Sequence, residues 1–477
     1  MKSYKFLEEV LSKIQNIKNI LKVLNQSQLA LEEKIQQISL LEEIRHEMIS
    51  HNIIQESLEE ADAIIIKNKG IQDLKLKLIE RIHRSNRAVP IHLVKTLSKT
   101  KVECHALWCL SHTEVSHLNK LKERFAELIK LTREVAAIKS QQLQCSEYDV
   151  LLSEYDSDIK EANIKEIFPK IGKFFSDNID QVIEQYKKDK TMHMQKVPIH
   201  KQIALGSYYL QKIGIALHDV NTAYHVPIRY HESDFCSNLF STLRLSGYAM
   251  CQKYLISNSI TSLITRDIMY EMHGLFMEKM IGKSREFIEF IHPYIKEKFA
   301  IKGKCNINVS NIENLHLLFH KVNLSSSLQQ IDEFSLLGHI MLRTKLEQDL
   351  IRGTLDIQDL HNAWIEGMKH YKIPIKVKNE LDTYLQDEYW VRGMIGYFPI
   401  KMISLMSAIQ IFLFIKLHHT ESLNSIIKGD FSLLINWLSN NVYNTKSTFL
   451  DMLKKVTGNG LDIESCTRYL SHNYHLS

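Results

Sequence analysis

Apolar side chains recur at every third or fourth position from the start of the chain. Leu7, Val10, Leu11, Ile14, Ile17, Leu21 and Leu24 fall on one face of a helix, since 3.6 residues make a turn. Asn25 to Ser27 interrupts the pattern. From about Leu29 a second face follows, made by Leu31, Ile35, Ile38, Leu41, Ile44 and Met48. No proline precedes Pro90, and Gly70 is the only glycine before it, so residues 1–89 are predicted as three helices. Pro90 suits a helix start and opens a helix to about Leu110. Ser111-His112-Thr113 opens a long helix through about Ser140, and two more fill 149–188. The segment DKTMHMQKVP near 189–200 is the best boundary, dividing the chain into regions 1–190 and 191–477. Beyond it helices are predicted over 234–256, 262–300, 332–350, 378–392 and 400–419. Short β-branched or aromatic segments at Ala223–Tyr230 and Cys305–Val309 are candidate strands.

Composition supports the helical reading. The 477 residues hold only 16 Gly and 7 Pro, too few for the many tight turns of an all-β or doubly wound fold. The expected class is mainly all-α. Lys and Arg exceed Asp and Glu by 60 − 55 = 5, which is mild for this length. The densest basic cluster, Lys187, Lys188, Lys190 and Lys196, reads as a solvated loop, so no nucleic-acid partner is implied. The seven cysteines are scattered, with no C-x-x-C, and point to a reducing cytoplasm. MKSYKFLEEVLSKI has acidic residues where a secretion signal is apolar. The apolar run Met402–Ile415 is shorter than the ~20 residues of a membrane span and reads as a buried helix.

Candidate chemistry is sparse. His105, Cys109 and His112 sit at i, i+4 and i+7, a spacing that suits zinc and equally suits packing beside Trp108 and Leu110. His46-Glu47 and His51 resemble a zincin pair with one residue too many, which turns the second ring about 100° away. His418-His419 and His472/His475 read as surface histidines. There is no glycine-rich phosphate loop and no Gly-x-Ser-x-Gly elbow. Residue patterns alone stop at a large helical protein.

Longer strings go further. LQDEYWVRGMIGYFPIKMISLMSAIQIF (Leu385–Phe412) closely resembles the Taq-type thermostable carboxypeptidase family, in which Gly-x-x-Gln-Asp-x-His-Trp precedes a Gly-Tyr-Phe-Pro turn. Gln386, Asp387, Trp390, Gly396, Tyr397, Phe398 and Pro399 match. Asp332–Trp364 resembles the family's Asp-Glu … His-Ile-x-Leu-Arg … Glu segment, and Met277–Phe287 its Trp-Glu-Asn-x-Val-Gly-Arg-Ser stretch. Arg229–Leu243 resembles the helix leading into the metal motif, and Glu147–Asp156 the Tyr-Asp segment. The resemblance implies a helical zincin-like metallocarboxypeptidase fold with a deep groove and at most a small sheet near the site. Region 1–190 would form one groove wall and 191–477 the catalytic-type region. It also implies zinc or another divalent metal held by two His at i, i+4 and a downstream Glu. A neighbouring Glu would activate water, and an Arg would hold the substrate carboxylate.

The departures fall on the chemistry. The family's His-Glu-x-x-His aligns with Arg244-Leu245-Ser246-Gly247-Tyr248, and of the downstream ligand motif, aligned with Tyr270 to His273, only Glu271 keeps a carboxylate. The carboxylate-binding Arg aligns with Leu328. The family's Asp-x-Arg-x-Thr falls on Ala223, His225 and Pro227, and the final motif's Gly and His become Thr383 and Tyr389. No catalytic residue and no bound metal are therefore expected, and Glu271, His273, Asp332, Gln386, Asp387, Tyr389 and Tyr397 remain as groove candidates. Arg244 is expected to pair with Glu271, a cation standing where the metal would be, with Tyr248 and Tyr270 filling the imidazole volume. The alternative turns Arg244 outward and pairs Glu271 with a lysine. The leading expectation is a cytoplasmic pseudo-peptidase that binds peptide in the groove, or pairs as a homodimer or with an active relative. The other readings are an active carboxypeptidase with a metal site rebuilt from Glu271, His273, His225 and His231, and a decaying gene product.

Overall fold

The computed structural model describes residues 2–27, 29–65, 71–189, 196–222, 231–255, 266–299, 311–328, 331–443 and 447–476. Among these every regular element is helical and no strand occurs. The candidate strands at 223–230 and 305–309 lie outside the described residues. The helices run α1 (Lys2–Gln26), α2 (Leu31–Ser50), α3 (Asn52–Ile65), α4 (Ile71–Arg87), α5 (Ile91–Ser111), α6 (Leu118–Leu143), α7 (Glu147–Leu152), α8 (Glu161–Asp189), α9 (Ile199–Lys212) and α10 (Leu217–Thr222). They continue with α11 (Phe235–Leu255), α12 (Arg266–Leu275), α13 (Arg285–Lys298), α14 (Ile312–Phe319), α15 (Glu333–Arg352) and α16 (Leu360–His370). The last are α17 (Tyr397–His418), α18 (Thr420–Asn424), α19 (Ser432–Leu438), α20 (Phe449–Thr457) and α21 (Ile463–Asn473). Two compact units result. One comprises Met1–Ile164, Leu342–Gly367 and Lys376–Ile400; the other comprises Lys165–Met341, Met368–Ile375 and Lys401–Ser477.

In the first unit α5 lies against α2 and α6, and α4 against α2, α3 and α6. Leu21, Ile38 and Val102 form one buried cluster, and Val89, Leu93 and Leu131 another. The described part of residues 1–89 holds four helices, not three. The break comes at His51, whose backbone is extended (φ −64°, ψ 139°). Its Nδ1 accepts a hydrogen bond from Ile53 N–H at 3.2 Å, satisfying a donor that helix geometry leaves free.

The centre of this unit is polar. Arg343 and Glu347 lie one turn apart on α15, and both are fully buried. Glu347 accepts from Trp390 Nε1 at 2.6 Å, Tyr148 Oη at 2.9 Å and Gly396 N at 3.0 Å. Burial still pushes its carboxyl up to about 7. Arg343 donates to Asp387 at 2.6 Å, with its guanidinium carbon 4.5 Å from the Trp364 ring centroid and 4.7 Å from that of Phe398. These demands override the helix predicted over 378–392. That segment is a 3-10 turn, Glu380–Asp382, followed by irregular backbone. Asp387 and Trp390 must reach Arg343 and Glu347, and Gly393 and Gly396 adopt φ of 71° and 87°, a region that only glycine enters freely. A Cβ on Gly396 would also lie 3.2 Å from the Leu151 carbonyl carbon.

In the second unit α11 packs on α12 and on the π-helical turn Phe276–Ile281 that continues it. Among the described residues α17 is the only helix long and apolar enough to cross a membrane. Its side chains from Met402 to Phe412 are buried in the protein, as the sequence pattern predicts. Asp332 heads α15, accepting from Ser335 N at 2.9 Å and Tyr474 Oη at 2.9 Å. Beside it Glu333 accepts from Lys283 Nζ at 2.7 Å and Tyr474 Oη at 3.0 Å. Burial alone would raise the Glu333 carboxyl, but Lys283 and Lys279 outweigh it and hold the group at about 2, against an ordinary 4.5. A depressed carboxylate adds stability above its unfolded pKa that is lost as pH falls toward its folded one, here between about 4.5 and about 2. Lys283→Met is expected to cost roughly 3 kcal/mol at pH 7 by leaving a buried carboxylate without its nearest cation. It is also expected to shrink the acid-dependent loss. Urea denaturation of both proteins at pH 7 and pH 3 reads the two effects.

Candidate functional site

Arg244 and Tyr248 stand one turn apart on the same face of α11. That face meets α12 at close range because two glycines remove the side chains between them. A Cβ on Gly247 would lie 2.2 Å from the His273 carbonyl oxygen, and one on Gly274 would lie 2.4 Å from the Tyr248 ring. Glu271 on α12 thus comes within reach of Arg244. Seven residues on, close to two turns, Glu278 projects from the π-helical turn into the same space.

The guanidinium uses all three nitrogens. Nη2 makes a short ion pair with Glu271 Oε1, Nη1 pairs with Glu278 Oε2 at 2.6 Å, and Nε donates to Tyr248 Oη at 2.8 Å. Tyr248 Oη in turn donates to Glu271 Oε2 at 2.9 Å. Lys401 Nζ, from α17, lies 3.3 Å from Glu271 Oε1. Lys279 Nζ lies 3.1 Å from Glu278 Oε1 and donates to the Ile331 carbonyl at 3.1 Å. The expected Arg244–Glu271 pair is present, and so is the lysine of the alternative. The fork is not bidentate on one carboxylate; it opens across two.

Burial makes these contacts consequential. The Glu271 side chain is 4% exposed, that of Lys401 7% and that of Arg244 21%. Burial alone would raise the Glu278 carboxyl, but Lys279 and Arg244 outweigh it and hold the group below its ordinary range. Burial pulls the Lys401 ammonium down to about 8, against the opposing pull of Glu271. Leu245 is buried and apolar, and the Tyr270 ring packs 6.2 Å from that of Tyr248.

The remaining candidates serve other structures. His273 is two residues from Glu271 and so faces away from it. Its Nδ1 lies 2.7 Å from the Met269 carbonyl, its ring stacks on Tyr443 at 4.7 Å, and burial lowers it to about 4. Asp332 heads a helix, as described above. Gln386, Asp387, Tyr389 and Tyr397 fall in the other unit. There Asp387 is held by Arg343, Tyr389 stacks on Tyr397 at 4.9 Å, and Gln386 Nε2 is buried without a hydrogen-bond acceptor. His231 is exposed, Leu328 is half-buried, and Ala223, His225 and Pro227 lie outside the described residues. His112 turns its ring edge onto Trp108 at 4.5 Å and does not complete a metal trio with His105 and Cys109.

A divalent cation does not fit these residues. Arg244 carries no lone pair at any usable pH, and both oxygens of Glu271 are already engaged by cations and a phenol. Among the described residues no group of three or more His, Cys, Asp or Glu is placed to hold a metal. Next to Arg244, Leu245 cannot accept a proton from water. Sequence reasoning missed Glu278 and Lys401. Glu278 was findable from its seven-residue offset from Glu271; nothing in the sequence announces Lys401, 130 residues away.

Comparison with known proteins identifies relatives of the whole chain. The sequence model of "Carboxypeptidase Taq (M32) metallopeptidase" matches residues 4–474. "Thermostable carboxypeptidase 1" of Pyrococcus furiosus is 23% identical over 459 residues, 90% of this chain and 89% of that protein. Its namesake from Thermus thermophilus is 22% identical over 475 residues, 93% and 91% of the two chains. The solved structure of Trypanosoma cruzi metallocarboxypeptidase 1 superposes with a TM-score of 0.86 at 22% identity, covering 99% of each chain.

Two substitutions separate charge from packing. Arg244→Met is expected to cost about 3 kcal/mol, since it strips a buried carboxylate pair of its shared cation. Gly247→Ala should cost about the same through overpacking, because backbone, not a flexible side chain, occupies the Cβ position. Gly460→Ala, with nothing within 4 Å of the added Cβ, should stay within about 0.5 kcal/mol of the parent. Urea midpoints of the three variants check the order.

Proposed function

The chain belongs to the Taq-type (M32) metallocarboxypeptidase family, and we propose that it is a member that has given up zinc binding and peptide hydrolysis. One observation carries this reading: Arg244 occupies the position aligned with the first metal-binding histidine and is ion-paired to Glu271, the carboxylate that remains. A guanidinium bound to two carboxylates supplies the positive charge these groups need without being a Lewis acid. It polarises no water, and Leu245, at the position aligned with the general base, cannot take a proton.

The role that remains is binding. In this reading the chain works in the reducing cytoplasm, in keeping with its scattered cysteines. It takes peptide without cleaving it, or pairs with a second copy or with an active relative.

The test uses the purified full-length chain incubated with excess zinc and then desalted. Metal is measured by mass spectrometry and activity as release of C-terminal amino acids from peptides. The expectation is well below one zinc per chain and no release. Stoichiometric zinc with release would establish the rival reading of a rebuilt metal site. The triple change Arg244→His, Leu245→Glu, Tyr248→His restores the aligned motif and is expected to raise zinc to roughly one per chain, because i, i+4 imidazoles and Glu271 then form a three-ligand set.

A further inference from the structure

A cavity of about 370 Å³ opens within the first unit, where α4 ends beside α3 and α6. Its walls include Gln55, His83, Arg84, Arg87 and Gln142. His83 is only 1% exposed, and its Nδ1 lies 2.6 Å from the Ile49 carbonyl oxygen. A carbonyl oxygen can only accept, so Nδ1 carries the proton and, in the neutral ring, Nε2 carries the lone pair. That Nε2 is buried without a hydrogen-bond partner, a deficit that native interiors rarely leave uncovered. Two arginines of the last turn of α4 line the same cavity. Arg84 is engaged: its Nη2 donates to the Gln142 carbonyl at 2.9 Å, and its Nη1 lies 3.9 Å from Glu80 Oε1. The Arg87 guanidinium has no ion-pair partner among the described residues.

Cations in the last turn complement the helix dipole, which accounts for arginines at these positions. It does not account for a buried imidazole acceptor left open in a cavity that also holds an uncommitted guanidinium. One ion answers both. Hydrogen phosphate offers charged oxygens to a planar donor fork and keeps a hydroxyl that can donate to a ring nitrogen. Sulfate has the same shape and charge but no hydroxyl, and a phosphate monoester has lost its last proton above about pH 6. We propose that this cavity binds inorganic phosphate, with Arg87 on the charged oxygens and His83 Nε2 accepting from the hydroxyl. The volume lies near the low end of the ~300–1,000 Å³ typical of small-molecule sites, as a small ion requires. Gln55 donates Nε2 to Glu59 at 2.7 Å, which leaves its carbonyl oxygen as a further acceptor on the wall.

The full-length protein is titrated at pH 7.5 and constant ionic strength with inorganic phosphate, sulfate and glycerol phosphate, each followed by isothermal titration calorimetry. Phosphate is expected to fill one site about tenfold more tightly than either of the others, the worth of one buried hydrogen bond. Arg87 is at the surface, so Arg87→Met tests the site without touching the core; it should weaken phosphate by about tenfold or more through loss of the charged fork. His83→Asn, checked for retained helicity, keeps an amide for the Ile49 carbonyl and drops Nε2. It should bring phosphate down to the level of sulfate. No saturable phosphate binding, or binding that survives Arg87→Met, would overturn the site. Sulfate or glycerol phosphate binding as tightly as phosphate would overturn the hydroxyl contact, since an imidazolium donor would then hold any of the three.

Discussion

Two carboxylates in the second unit, Glu271 and Glu278, are removed from water and require positive charge within hydrogen-bond reach. An unpaired buried carboxylate costs several kcal/mol or else becomes protonated. Arg244 meets the requirement for both groups at once, because its planar donor fork can face two acceptors while its Nε still serves Tyr248. Lys401 and Lys279 add a second cation to each carboxylate. The close approach of α11 and α12 at Gly247 and Gly274 follows the same need, since a bulkier contact there would part Arg244 from Glu271. In the proposed reading, this network is what a metal centre becomes when the charge is kept and the lone pairs are lost.

A second polar centre explains why the family strings stay legible at little more than one residue in five identical. Tyr148 comes from the Tyr-Asp segment, Arg343 and Glu347 from the Leu-Arg … Glu segment, and Asp387, Trp390, Gly396 and Phe398 from the last motif. All of them meet at one buried knot in the first unit. Removing any donor to Glu347, or the Asp387 acceptor of Arg343, would leave a charged group short of a partner in a dry interior, where the deficit is large. The matched strings therefore carry a folding role of their own. No such contact ties Arg244, Leu245 or Tyr248 to this knot in the described residues.

Much of the helical architecture is open to sequence reading, because helix periodicity and helix breakers are local. The start at Pro90, the spans of α11, α15 and α17, and the burial of the apolar run Met402–Ile415 all follow from pattern. Where the reading fails, the cause is a tertiary partner in one place and local capping in another. The segment 378–392 has helix-like polarity, but Asp387 and Trp390 are claimed by Arg343 and Glu347 on another element. His51 ends α2 and caps α3 through its own ring nitrogen, a detail that apolar spacing does not register.

The sequence by itself determined the helical class, the family strings and the absence of an imidazole at positions 244 and 248, because residue identity alone decides whether a lone pair exists. It also named Arg244 and Glu271 as partners, because both align with metal-ligand positions of the family that the chain resembles. Only the tertiary structure decided how that charge is shared. Glu278 enters through a π-helical turn that shifts the helical register, and Lys401 arrives from a helix more than a hundred residues away. It also moved Asp332 and His273 from groove candidates to a helix cap and a core ring, because a side chain's role depends on which atoms packing brings to it, and packing is not written along the chain.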